Sequence, residues 1–179
     1  MKLSEIIPRL ETLPARTRSA LVDLPALQFV RLPPRGGWSI AQVFEHLCMT
    51  NSAYLDHTIP DAVERAKQSR HGARQWRTSL VGGLLIASMR ESSSRRLPAP
   101  GPLRVGDAVR PDVVQVFLAR LPELEGHIHA LEGVDQRISI ASPIARWVHM
   151  NVGDACVILV EHAHRHLAQV ERIRREVEG

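Results

Sequence analysis

Apolar residues recur at intervals of three and four through most of this chain, the spacing that lines one face of a helix with 3.6 residues per turn. Ile6, Ile7, Leu10, Leu13, Ala20, Leu21 and Leu24 mark a first helix over residues 4–24. Pro14 interrupts it: a proline removes one backbone donor and crowds the preceding turn, so a kink or short break is expected near Thr12 and Leu13. The stretch RLPPRGGW at 31–38 reads as a loop. Ser39, followed three residues later by Gln42, then forms a capping box that opens a second helix over about 40–57, with Ile40, Val43, Phe44, Leu47 and Tyr54 on its apolar stripe. Pro60 is expected to end or bend it, with a shorter helical stretch running on to Gln68.

From 69 to 109 the period fades, in a connection that holds Gly82–Gly83, ESSSRR and LPAPGPL. Roughly forty residues is far above the usual loop length and is enough to cross a helical bundle. Within it, SLVGGLLIASM at 79–89 is expected to pack as a buried segment over the core. A third helix spans about 111–132, opened by Pro111 and Asp112 and carrying Val113, Val116, Phe117, Leu121, Leu124, Ile128 and Leu131. Pro122 should bend it and Gly133 end it. ISIASPIARWVHM at 138–150 alternates enough for a short extended piece that turns at Pro143. A fourth helix runs over about 152–177, capped by Asn151 with Asp154 near its positive end. Its apolar line is Val152, Ala155, Cys156, Leu159, Ala163, Leu167, Val170, Ile173 and Val177. Four main helices and an aromatic content of only 4% point to one mostly helical domain over residues 1–179.

Charge narrows the partners. The net charge of +4 is carried almost wholly by arginine, Lys2 and Lys67 being the only lysines. Arginines cluster at 70, 74 and 77, at 90, 95 and 96, and at 172, 174 and 175. A nucleic-acid binder pairs such clusters with a reading helix or stacking aromatics; one Tyr and three Phe offer little to stack on, so no nucleic-acid partner is expected. The C-terminal arginines offset the negative end of the helix dipole. The longest apolar run is about half the roughly 20 residues that span a bilayer, so no membrane partner is expected either. MKLSEIIPRLETLP lacks the features of a secretory leader, which favours a cytoplasmic location. Cys48 and Cys156 are too few for a disulfide framework and read as small, reduced core residues.

The chemistry lies in three histidines. His162 and His166 stand four apart in VEHAHRHLAQVERI, one turn apart on one face and bordering the apolar line of the fourth helix. His46 lies among Val43, Phe44 and Leu47 on the second helix. Two adjacent buried imidazoles cannot both be protonated cheaply, and a divalent cation removes that conflict. Packing the two helices face to face would complete a three-histidine site with an open position, suited to Zn²⁺, Ni²⁺, Fe²⁺ or Mn²⁺. Cys48, two residues from His46, points about 200° away and is a poor fourth ligand. Gln42 and Gln169, each one turn from a ligand, are either outer partners of the imidazoles or plain capping and solvated residues. His164 is expected to face solvent, as are His127 and His129, which are two apart and cannot easily share an ion.

WSIAQVFEHL at 38–47, followed far downstream by EHAHRHLAQVERI at 161–173, resembles the DinB-like (YfiT-like) superfamily of bacterial metalloproteins, and the LETLP opening, RLPPRGGWS and LPAPGPL extend the likeness over nearly the whole chain. The resemblance implies an all-α four-helix bundle with a long crossover between helices two and three. It also implies a homodimer, and one divalent metal on His46, His162 and His166 with water at the remaining positions. Relatives of this kind include bacillithiol-dependent S-transferases and a mycothiol-dependent maleylpyruvate isomerase. The implied activity is therefore metal-dependent transfer to a small-molecule substrate from a low-molecular-weight thiol, whose pKa the metal lowers. The substrate pocket would be built from the crossover and the 138–150 segment. The alternatives are a metal-dependent hydrolase, and a metal-binding or dimerisation module without turnover. Glu45 and Glu161 each adjoin a ligand but diverge from it by about 100°, and Asp154 sits two turns before His162. The lack of a placed general base counts against hydrolysis more than against thiol transfer.

Overall fold

The computed structural model describes residues 2–93 and 101–178; Arg95, Arg96 and most of LPAPGPL lie outside them. A 3₁₀ turn at Leu3–Ile6 leads into α1 (Ile7–Leu21), followed by the short α2 (Ala26–Val30) and by α3 (Ile40–Ala53). A π-helical turn at Tyr54–Thr58 joins α3 to α4 (Ile59–Lys67). The connection between α4 and α6 contains α5 (Leu80–Met89) and a 3₁₀ turn at Gly101–Leu103. Next come α6 (Val113–Ala119), α7 (Leu121–Ala130), an antiparallel hairpin of β1 (Ser139–Ala141) with β2 (His149–Asn151), and α8 (Val152–Glu178). The fold is mostly helical, as the periodicity requires. No helix among the described residues is long and apolar enough to cross a membrane.

The long α8 is the element around which the others gather, packing against α1, α3 and α5, while α6 packs on the other side of α3. Residues 152–164 of α8 are all buried. The capping box at Ser39 forms as the sequence required: Gln42 N–H donates to Ser39 Oγ at 3.2 Å, and Ser39 N–H to Gln42 Oε1 at 3.0 Å. Asn151 and Asp154 cap α8 in the same reciprocal way, at 2.8 and 3.3 Å.

Several expectations change in the structure. The first helix passes through Pro14 without a break. Leu10, Leu13, Thr17 and Ala20 are buried around it, and their packing outweighs the one hydrogen bond that the proline forgoes. The second main helix gives way through the π-helical turn to the shorter α4, as expected, and Pro60 sits in the first turn of α4, where a missing donor costs little. Pro122 lies in the first turn of α7 for the same reason, and the third helix is divided at Arg120. The extended piece at 138–150 forms both strands of the hairpin, with Ile140 opposite Met150. The segment at 79–89 is a helix, and only one side of it is covered: Gly82, Ile86 and Ser88 are buried, whereas Leu80 is 91% and Leu84 71% exposed.

Asp154 explains why a glycine pair can sit in that helix. Its carboxylate is fully buried and accepts from Trp76 Nε1 at 3.0 Å, Asn151 N, Ser79 N and, at 2.6 Å, Ser79 Oγ. Ser79 is the N-cap of α5, so one carboxylate joins the starts of α5 and α8. A Cβ on Gly82 would lie 2.1 Å from Asp154 Oδ2. Helix propensity alone says that Gly82→Ala should stabilise by up to about 1 kcal/mol. The packing predicts the opposite sign, and Asp154→Ala should cost roughly 2–4 kcal/mol because buried donors lose a charged acceptor. Urea denaturation of the two variants checks both; a stabilised Gly82→Ala would contradict the close approach.

Candidate metal centre

The helix spacing places His162 and His166 on the face of α8 that α3 covers, and α3 brings His46 to meet them. The three ligand atoms lie within 4.8 Å of one another. Ring centroids are 5.0 Å apart for His46 and His162, 4.8 Å for His46 and His166, and 4.4 Å for His162 and His166. All three residues named from the sequence are thus in one cluster, with His46 and His162 buried and His166 at its rim.

Hydrogen bonds fix which nitrogen faces the cluster. His46 Nδ1–H donates to the Leu103 carbonyl at 3.1 Å, and His166 Nδ1–H donates to Gln169 Oε1 at 2.9 Å. In a neutral imidazole with Nδ1 protonated, Nε2 carries the lone pair, so two lone pairs are kept free for a ligand role. His46 Nε2 lies 3.1 Å from His162 Nε2. Two nitrogens bound to one tetrahedral zinc at about 2.0–2.1 Å would be about 3.3 Å apart, so the observed spacing fits a shared ion.

Burial also sets the charge state. Desolvation lowers the pKa of all three histidines, and the neighbouring imidazoles push in the same direction for His162 and His166, which is brought down to about 3. The rings are therefore neutral at physiological pH, the form that binds metal. A buried set of three neutral imidazoles with converging nitrogens suits a borderline divalent ion such as zinc, nickel or iron.

The neighbouring residues sort themselves clearly. Gln169 is an outer partner of His166, whereas Gln42 caps α3 and donates from Nε2 to the Gly106 carbonyl at 3.0 Å. Glu45 forms an ion pair with Arg110 at 2.8 Å and Glu161 one with Arg9 at 3.0 Å. Asp154 is held by its own donors as described. His164 does not face solvent: it is 4% exposed, with Nε2 at 3.0 Å from the Arg9 carbonyl and Nδ1 at 3.2 Å from Arg16. His129 is exposed, while His127 is half-buried.

Two contributors escaped the sequence reading. The Leu103 carbonyl has no side-chain signature at all. Trp38 does have one, a lone indole just before a helix cap and after two glycines; its ring centroid lies 4.8 Å from that of His46 and 6.4 Å from that of His166.

Residues 9–170 match the DinB superfamily. No curated protein and no solved structure matches the chain.

Cys48 turns away from the cluster, donating from Sγ to the Val113 carbonyl at 3.3 Å. Burial pushes its thiol up to about 11 and that of Cys156 up to about 12. Neither thiol should react with iodoacetamide at mildly alkaline pH while the chain is folded, and both should react in urea. Mass spectrometry of the labelled protein counts the adducts; rapid labelling of folded Cys48 would contradict its placement.

Proposed function

Since the chain belongs to the DinB superfamily, we propose that it is a divalent-metal-dependent enzyme on a four-helix bundle, with a long crossover between its second and third main helices. His46, His162 and His166 would hold the ion, and the reaction is an S-transfer from a low-molecular-weight thiol of the bacillithiol or mycothiol type to a small electrophilic substrate. A homodimer belongs to the same reading. The observation that carries it is the convergence of three neutral imidazoles from two helices, two of them held in the tautomer that leaves Nε2 free.

A divalent ion in such a site supplies Lewis acidity, which lowers the pKa of a bound thiol so that the thiolate prevails near neutral pH. The chain's own residues do the rest. Leu103 and Gln169 hold the ring nitrogens in register, and burial keeps the imidazoles unprotonated. The transfer forms a bond from thiol sulfur to an electrophilic carbon, while the thiol proton goes to solvent and a leaving group departs with its electron pair. Hydrolysis would call for a general base, and Glu45, Glu161 and Asp154 are engaged elsewhere, with Arg110, with Arg9 and with the donors around Asp154.

Elemental analysis of protein purified without a histidine tag or chelator should find close to one divalent ion per chain, lost in His46→Ala and in His166→Ala. Protein that arrives empty and takes up no added Zn²⁺, Ni²⁺ or Mn²⁺ would overturn the metal site. Gln169→Ala should weaken metal affinity about 10-fold while the fold is retained, since outer partners of ligating histidines contribute on that scale; competition with a chromogenic chelator reads it. Metal-loaded protein is then assayed for thiol consumption with an activated aryl chloride. If the metal binds but thiol is not consumed with any electrophile tried, the non-catalytic binding module becomes the better reading.

A further inference from the structure

His166 is held by one hydrogen bond, to Gln169, and His46 by two contacts in the plane of its ring, Nδ1 to Leu103 and Nε2 to His162. Such in-plane contacts fix the ring nitrogens but leave the ring free to tilt about the contact axis. Something flat against the ring must remove that freedom if the nitrogens are to stay in register. Trp38 is placed to do so for both rings at once. Its plane is inclined by 42° to His46 and by 30° to His166, at centroid distances of 4.8 and 6.4 Å. Both distances lie within the range of favourable aromatic contacts. The two rings come from different helices, so one indole bears on α3 and α8 together.

The backbone around Trp38 is asymmetric. On one side, Ser39 is anchored by the reciprocal capping box of α3. On the other, Gly36 and Gly37 are exposed with φ of +77° and +107°, and no atom lies within 4 Å of where a side chain would begin. The indole is therefore tethered at the cap on one side and follows an exposed glycine pair on the other. Trp38 itself is half-buried, so it forms the outer wall between the ligand rings and water.

We infer that Trp38 is a positioning residue of the metal centre: tilted against His46 and stacked toward His166, it holds both imidazoles in ligating orientation and limits the rate at which a bound ion leaves. The inference rests on the reading that the three histidines hold a divalent ion. Chemistry favours the contact most in the loaded state, because an imidazole that donates to a cation becomes more positive, and the face of Trp is the best aromatic surface for positive charge.

The test uses the full chain loaded with Zn²⁺ or with Co²⁺. Excess EDTA should strip Zn²⁺ from Trp38→Ala about 10-fold faster than from the unmodified chain, with Trp38→Phe within about 3-fold of it because a flat ring is restored. Co²⁺ should quench tryptophan fluorescence in the unmodified chain, and most of that quenching should be lost in Trp38→Phe, since Trp76 and Trp147 remain. The fluorescence measurement stands even if Trp38→Ala fails to fold. Equal stripping rates in the three proteins, or quenching that persists in Trp38→Phe, would overturn the role of Trp38 while leaving the metal site intact. An unmodified chain that binds neither ion would overturn the metal site itself and this inference with it.

Discussion

A helix buried on every side has no solvent face on which to place a polar residue, and the first half of α8 is such a helix. Each polar side chain between Val152 and His164 must therefore be met by a partner or be strongly destabilising. Asp154 is met by Trp76, Ser79 and Asn151, Glu161 by Arg9, and His164 by the Arg9 carbonyl and Arg16. These contacts tie α1, the start of α5 and the hairpin to the central helix. His162 is different, because the groups that face it are the rings of His46 and His166. Three neutral imidazoles turned toward one another satisfy their nitrogens best by sharing a cation. The same burial that organises the fold thus brings together the three histidines of the candidate metal centre.

That constraint also explains what the sequence disclosed and what it did not. Spacing found the three histidines because each needs only a helix and a face, and both follow from periodicity. The caps at Ser39 and Asn151 were legible because they use side chains at fixed offsets. His164 was misjudged because a one-sided helix was assumed, and nothing local shows that α8 is enclosed all round. Gly82–Gly83 suggested a loop by propensity, but Gly82 is there because a buried carboxylate approaches a helix too closely for a Cβ. Pro14 suggested a break, but local preference yields to a buried face of four residues. In each case tertiary packing overruled a local rule.

Tautomer control shows the same division of labour. His166 is oriented by Gln169, a side chain three residues on, which sequence spacing can find. His46 is oriented by a backbone carbonyl from the far end of the connection between α4 and α6, which it cannot. The orientation of His46 is therefore subordinate to a segment more than fifty residues away.

The connection between α4 and α6 holds α3 at three places. Gly106 accepts from Gln42, Arg110 pairs with Glu45, and Leu103 accepts from His46. Glu45 and His46 follow Gln42 by three and four residues, so these contacts fall within about one turn of the helix. The 101–110 stretch is thereby docked along α3, rather than hanging from it as a loose connection. Because two of its three contacts use backbone carbonyls, side chains along this stretch can change while the orientation of His46 is kept. A connection of this kind can vary what surrounds the three histidines without disturbing the orientation of His46, so the side chains of the stretch are free to change on a fixed scaffold.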